Sequence, residues 1–130
     1  MFTCAETVET IREKLFDHCR RRNSVASLYC FMPDHLHVIV WGQSDEAMPK
    51  AAMDGFKIGS GIWLRRHSPG FRWQTDYHDR IIRDHAEWCH KVRYILNNPV
   101  RAGLVNSFED YPFLGSQKFA IDEILMDLGE

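Results

Sequence analysis

Two histidines separated by one residue are the first feature of this sequence that could support chemistry. His35-Leu36-His37 opens the apolar run HLHVIVWG, which is typical of a β-strand. Because side chains alternate across a pleated strand, both imidazoles should project from one face, about 6–7 Å apart along the chain. Two neutral imidazoles placed in this way can share one divalent cation. For an isolated pattern of this kind, two unrelated polar side chains on an exposed strand face are the simpler alternative.

A tyrosine and an asparagine four residues apart form the second chemical feature. Tyr94 and Asn98 lie near the end of HAEWCHKVRYILN, residues 85–97, a pattern that predicts a helix ended by Pro99. On such a helix the two side chains share one side, about 6 Å apart along the axis. A phenol with an ordinary pKa near 10 is a weak nucleophile at neutral pH and needs a metal ion or a base beside it. Taken alone, Tyr94 is more typical of a core aromatic.

The elements that would position these residues alternate between helices and strands. Helical periodicity predicts a first helix, a weaker second helix ended by Ser68-Pro69-Gly70, and a short acidic terminal helix. Apolar runs around Met32-Pro33-Asp34 predict a β-hairpin, and a further aromatic segment looks extended. In chain order these are the first helix at 5–22, the hairpin strands at 25–31 and 36–42, the second helix at 48–67, the extended segment at 71–83, the helix at 85–97 and the terminal helix at 120–128. This order predicts an α+β domain with an antiparallel sheet.

Length and composition limit the class of protein. The chain has 130 residues, of which 45% are hydrophobic and 26% charged, which suits one domain. It has no apolar run long enough to span a membrane, and its start is too polar for a signal peptide, so we expect a cytoplasmic protein. The four cysteines, Cys4, Cys19, Cys30 and Cys89, are scattered without a C-x-x-C pair and predict reduced thiols.

Charge is distributed unevenly along the chain. Residues 1–56 carry six Lys/Arg against eight Asp/Glu, residues 57–101 carry nine against four, and residues 102–130 carry one against six. The net charges are therefore −2, +5 and −5, which sum to the overall −2. The overall charge argues against a nucleic-acid partner, whereas the basic centre can form a local anion-binding surface. An ordinary solvated face would give the same pattern.

Four segments in a fixed order identify a family resemblance. FMPDHLHVIVWG at 31–42, RWQTDYHDRIIRD at 72–84, VRYILNNPVRAGLV at 92–105 and EDYPFLGS at 109–116 together resemble the REP-associated tyrosine transposases. These belong to the single-tyrosine HUH transposases, in which two histidines flank a hydrophobic residue. The resemblance covers residues 25–116 and implies a ferredoxin-like antiparallel sheet with helices on one face. Residues 1–24 would form an N-terminal helical region and residues 117–130 an acidic tail, within a single domain.

The resemblance also implies roles for the residues described above. His35, His37 and Asn98 would hold a divalent metal ion, Mg²⁺ or Mn²⁺, and Tyr94 would be the nucleophile that forms a 5′-phosphotyrosine link. The substrate would be single-stranded DNA bearing a hairpin, with no nucleotide cofactor and no membrane partner. The enzyme would act as a homodimer, associated with the nucleoid when bound to DNA.

Further residues are candidates for DNA contacts and for support of the metal site. His78 and Asp79 lie near the expected site and are candidates for orienting a ligand histidine. Their simplest alternative is a solvated strand face. Seven arginines are candidates for phosphate contacts: Arg65, Arg66, Arg72, Arg80, Arg83, Arg93 and Arg101.

The sequence departs from the family at its beginning. Family members have an additional strand before the first helix, whereas only Met1-Phe2-Thr3-Cys4 precedes it here. We expect its loss to leave unpaired backbone groups in the sheet, at about 1–3 kcal/mol for each buried group. A misassigned start, a decayed copy and a sheet completed by a second chain are three explanations. The departure keeps two other functions open: a relative that binds DNA hairpins without cleaving them, and a metal-binding structural domain unrelated to DNA. The acidic tail is predicted to be a solvated terminal helix.

Overall fold

The computed structural model describes residues 4–67 and 84–128. Within these residues the fold combines helices with a three-stranded antiparallel sheet in the order β2-β1-β3, which confirms the predicted α+β class. The extended segment predicted at 71–83 lies outside the described residues. The elements are α1 (Ala5–Arg21), β1 (Ser24–Met32), β2 (His35–Gly42), α2 (Pro49–His67), α3 (His85–Arg101), a 3-10 turn (Phe108–Asp110), β3 (Leu114–Gly115) and α4 (Ile121–Asp127).

The predicted β-hairpin forms around Pro33 and Asp34. Strand β1 pairs antiparallel with β2, so that Met32 lies opposite His35 and Cys30 opposite His37. Only two residues connect the strands, so β2 begins directly after Asp34, with His35 as its first residue. This register fixes which face of the sheet carries each histidine.

Helices cover both faces of the sheet, which corrects the prediction that they lie on one face. Tyr29 and Phe31 on one face of β1 pack in a core cluster with residues of α1 and α2. Leu28 and Cys30 on the opposite face pack with residues of α3 and α4. The reason is that β1 is apolar on both sides and buried at every position, so both of its faces need a covering layer.

The second edge of β1 is paired with the segment that contains β3. Phe31 N donates to Phe113 O at 2.9 Å, and Gln117 N donates to Ala26 O at 2.9 Å. The Gln117 side chain also accepts a hydrogen bond from Ala26 N at 2.8 Å. The expectation of unpaired backbone groups in the sheet is therefore wrong for β1, because β2 pairs with one of its edges and these late residues pair with the other.

Helix α3 does not end before Pro99, contrary to prediction. The Asp84 side chain caps its start by accepting from Glu87 N, and the helix continues through a buried Pro99 to Arg101. A proline this close to the end removes one backbone hydrogen bond and leaves only a short stretch of helix beyond it. Gly103, with a φ of 76°, then turns the chain.

The terminal helix α4 packs against the body of the domain instead of being solvated. Ile124 and Leu128 are 2% and 7% exposed and belong to the core cluster that includes Trp88 of α3. The Arg93 guanidinium donates to Leu128 O at 3.2 Å. The tail therefore contributes to the layer that holds α3 on the sheet.

All four cysteines are free thiols, as predicted. Cys19 and Cys30 are buried, and burial raises the pKa of each thiol to about 12. Within the described residues, no helix is both long and apolar enough to cross a membrane.

Candidate active site

The histidine pair lies on the sheet face that α3 covers. His35 Nε2 and His37 Nε2 are 3.0 Å apart, and the rings meet edge to face. His37 is 3% exposed, while the His35 side chain is 26% exposed at the start of β2. Leu36 and Val38 are fully buried in the cluster on the opposite face. The alternation predicted from the sequence thus separates two imidazoles from two apolar side chains.

Asp34 orients the first histidine. Its carboxylate oxygen lies 2.7 Å from His35 Nδ1. A carboxylate can only accept, so Nδ1 is the donor, and in the neutral imidazole the lone pair is then on Nε2, the nitrogen that faces His37. From the sequence, Asp34 is expected only as a turn residue. The candidates for the orienting role are His78 and Asp79, which lie outside the described residues. The position of Asp34 directly before His35 was the signal that could have found it.

Tyr94 approaches the histidine pair from α3. Its ring centroid is 5.7 Å from that of His37, in an edge-to-face arrangement, and the residue is 44% exposed. Ile95 and Leu96, the next two residues, are buried and hold this part of the helix on the sheet. Tyr94 is therefore not a core aromatic. The buried imidazole of His37 lies against its ring, and part of the residue's surface is open to solvent and to a large substrate.

Arg101 joins Tyr94 to Asn98. The guanidinium carbon lies 4.3 Å from the Tyr94 ring centroid, and Nη2 donates to Tyr94 O at 3.3 Å and to Asn98 Oδ1 at 3.2 Å. Tyr94 and Asn98 thus share one side of α3, as their spacing predicted. The acceptor that Asn98 offers here, its amide oxygen, is thus hydrogen-bonded to the Arg101 guanidinium.

The histidines fit two ligand positions of a divalent ion. Nitrogen ligands of an octahedral ion, at bond lengths of about 2.1 Å, lie about 3 Å apart when they occupy adjacent positions. The 3.0 Å separation of the two Nε2 atoms is close to this value, and it is also the length of the hydrogen bond that the two rings share here. In the described part of the chain, no group of three or more His, Cys, Asp or Glu side chains is placed to hold a metal ion. Asn98, through its amide oxygen, is the candidate third ligand that the sequence predicted.

The other predicted DNA contacts are spread over the molecule. Arg65 and Arg66 are exposed in the last turn of α2. Arg93 is exposed on α3 and bonds the backbone of Leu128. Arg101, on α3, contacts both Tyr94 and Asn98. Arg72, Arg80 and Arg83 lie outside the described residues.

An antiparallel sheet that presents two imidazoles to a tyrosine on a packed helix defines a candidate site for metal-assisted nucleophilic chemistry. Over 108 residues the chain is 27% identical to the REP-associated tyrosine transposase of Escherichia coli strain K12, which covers 81% of this chain and 62% of that protein. It is also 41% identical over 46 residues to an uncharacterized protein of Haemophilus influenzae, covering 35% of this chain and 26% of that protein.

The chain spans less than two thirds of the length of these curated relatives. Neither a family model nor a solved structure matches it. The similarity to the Escherichia coli protein extends over most of the chain and supports a relationship to transposases at the level of the general class.

Proposed function

We propose that this chain is a metal-dependent transposase that cleaves and rejoins single-stranded DNA beside a hairpin, with Tyr94 as the nucleophile. The observation that carries the proposal is the approach of Tyr94 to the histidine pair, with ring centroids of Tyr94 and His37 5.7 Å apart. The similarity to a protein named as a tyrosine transposase supports the same reaction class. Both point to phosphoryl transfer to a tyrosine.

The reaction exchanges one phosphodiester for another. The Tyr94 oxygen attacks phosphorus and forms the new P–O bond, while the bond from phosphorus to the 3′ oxygen of the preceding nucleotide breaks. The phenol loses its proton to solvent water and the leaving 3′ oxygen takes one up from water, so that a 5′-phosphotyrosine and a free 3′ hydroxyl result with no net change in protons. Reversal by another 3′ hydroxyl rejoins the strand, and ATP is not consumed.

His35, His37 and Asn98 would hold the divalent ion, Mg²⁺ or Mn²⁺, which when bound polarises the scissile phosphate and offsets charge on its oxygens. Asp34 favours the neutral tautomer of His35 with its lone pair on Nε2, because its carboxylate accepts a hydrogen bond from Nδ1–H at 2.7 Å. The His37 ring packs against the Tyr94 ring in an edge-to-face arrangement. These residues orient the nucleophile and the ligand atoms before the substrate arrives.

The proposed partners are a DNA hairpin and a second copy of the chain. The exposed Arg65 and Arg66 at the end of α2 supply positive charge for phosphate contacts. We further propose that the protein acts in the cytoplasm and associates with the nucleoid through DNA.

Covalent capture tests the proposed function. The full chain is incubated with Mn²⁺ and a labelled single-stranded hairpin taken from the repeats that flank its gene, and protein-linked DNA is measured on a denaturing gel. We expect an adduct that Tyr94→Phe abolishes, whereas Tyr29→Phe, at a buried tyrosine on the opposite sheet face, retains it. Asn98→Ala should lower the yield strongly and Asn97→Ala, on the exposed side of the helix, should not. Absence of an adduct with the wild-type chain would contradict the proposal.

The same assay separates the alternative functions. Hairpin binding that weakens steeply with salt, without an adduct, would support a relative that recognises DNA but does not cleave it. Binding of Mn²⁺ with indifference to DNA would support a metal-binding structural domain.

A further inference from the structure

A second concave site lies between the sheet, α3 and α4. It has a volume of about 230 Å³ and opens to solvent. Trp41, near the end of β2, lies four residues beyond His37, or about 13 Å along the strand, so this cavity is separate from the histidine pair. The lining residues are Trp41, Trp88, Phe119, Glu123, Ile124 and Asp127.

Aromatic rings form the walls of this cavity. The rings of Trp41 and Trp88 are 4.7 Å apart between centroids and tilted by 51°, and Phe119 meets Trp41 edge to face at 5.7 Å. Aromatic faces carry partial negative charge and attract cations. The fold already shows this preference at the edge of the cavity, because Lys118 Nζ lies 5.6 Å from the centroid of the Phe119 ring.

Two carboxylates of α4 stand at the cavity, and both are held in place. Asp127 Oδ2 accepts from Trp88 Nε1 at 2.8 Å and faces His85 Nε2 at 3.0 Å. Glu123 Oε1 accepts from Ala120 N at 3.1 Å. These hydrogen bonds orient the carboxylates. The tryptophan and backbone donors are uncharged, whereas the His85 imidazole offsets the charge of Asp127 when it is protonated. Residues 102–130 as a whole carry a net charge of −5.

We propose that this cavity binds an organic cation, an alkylammonium or guanidinium group presented by a basic side chain of a partner protein. Aromatic walls beside fixed carboxylates attract such a group through both its charge and its apolar surface. The same charges repel the phosphates that a nucleobase would bring with it, so DNA is not the expected occupant. The proposal is independent of the proposed transposase activity and requires no metal ion.

NMR of the tryptophan indole N–H groups of the full-length chain tests the proposal. The probes are choline and its neutral isostere 3,3-dimethyl-1-butanol, followed by short peptides with a central lysine, arginine or norleucine. We expect saturable shifts of the Trp88 signal with choline and with the lysine or arginine peptide, and none with the neutral probes. Asp127→Asn and Glu123→Gln should each weaken binding by about threefold or more, whereas Asp122→Asn, on the same helix but outside the cavity, should not.

The comparison of probes on the wild-type chain keeps the test decisive if a variant fails to fold. Equal binding of the cation and its neutral isostere would mean that the cavity binds apolar groups without a preference for positive charge, which would overturn the proposal. The absence of a saturable shift with any probe would overturn it as well. Equal losses in Asp122→Asn and Asp127→Asn would also overturn it, because the effect would be that of overall charge. Binding of choline without the basic peptides would overturn the assignment to a partner protein and identify a free amine as the ligand.

Discussion

The guanidinium of Arg101 lies 4.3 Å from the centroid of the Tyr94 ring, seven residues earlier on the same helix. The same guanidinium donates to Asn98 Oδ1 at 3.2 Å. In the proposed function this amide oxygen is a metal ligand, so Arg101 and the ion compete for one oxygen. Arg101 is also a phosphate-contact candidate, and a DNA strand at the site would give it another acceptor. DNA binding would then favour metal binding.

Arg101→Ala should tighten the binding of Mn²⁺. The substitution removes both the hydrogen bond to Asn98 Oδ1 and a positive charge near the proposed ion, and each change favours the metal. For a pair this exposed we expect the Kd to fall by about two- to fivefold, measured by isothermal titration calorimetry in the absence of DNA. Arg93→Ala is the matched control, because it removes the same charge from α3 but contacts Leu128 O. Equal effects of the two substitutions would contradict the competition.

Asp34→Asn should weaken the metal site with little effect on stability. The Asp34 side chain is 72% exposed, so its loss leaves the packing intact, but the amide no longer provides a carboxylate acceptor for His35 Nδ1. Loss of a residue that orients a ligand histidine typically lowers metal affinity by about 10–100-fold. Because Asp34 is exposed, we expect a loss near the lower end of that range. Calorimetric titration with Mn²⁺ measures the change. Asp45→Asn, on an exposed loop, should leave the affinity unaltered, and a similar loss there would argue against a specific role.

The parts of the site that the sequence predicted are those governed by local periodicity. A period of two places His35 and His37 on one face, and a spacing of four places Tyr94 and Asn98 on one side of a helix. The contact of Asp34 with His35 depends on side-chain rotamers in a turn, which no periodic pattern encodes.

Contacts between segments that are far apart in the chain could not be predicted from the sequence either. The pairing of residues near 114 with β1, the bond from Arg93 to Leu128 and the docking of α4 all depend on tertiary packing. The apolar character of β1 on both faces was visible in the sequence and could have predicted two covering layers. The apolar pattern of β1 does not specify which helices cover each face of the sheet.

Stability should decline at alkaline pH because of two buried thiols. Burial raises the pKa of Cys19 and of Cys30 from 9.0 to about 12 in the folded chain. Their contribution is fully present below pH 9 and is lost between pH 9 and pH 12, because there the unfolded chain releases protons that the folded chain keeps. The free energy of unfolding should fall by about 1.4 kcal/mol per pH unit for each thiol. Urea denaturation at several pH values measures the slope. Cys30→Ala should flatten it, and an unchanged slope would contradict the assignment.

Ile124→Ala should destabilise the domain far more than Met126→Ala, although both residues lie on α4. Ile124 is 2% exposed in the cluster under α3, whereas Met126 is 76% exposed. Removing a buried isoleucine side chain costs about 2–5 kcal/mol, and a surface substitution changes stability by about 0.5 kcal/mol or less. Since Ile124 lines the aromatic cavity and part of its surroundings is open, the lower half of that range is expected. Urea denaturation of both variants at pH 7 provides the comparison. Equal and small losses would mean that α4 is detached in solution, and the cavity that it helps to form would then be absent as well.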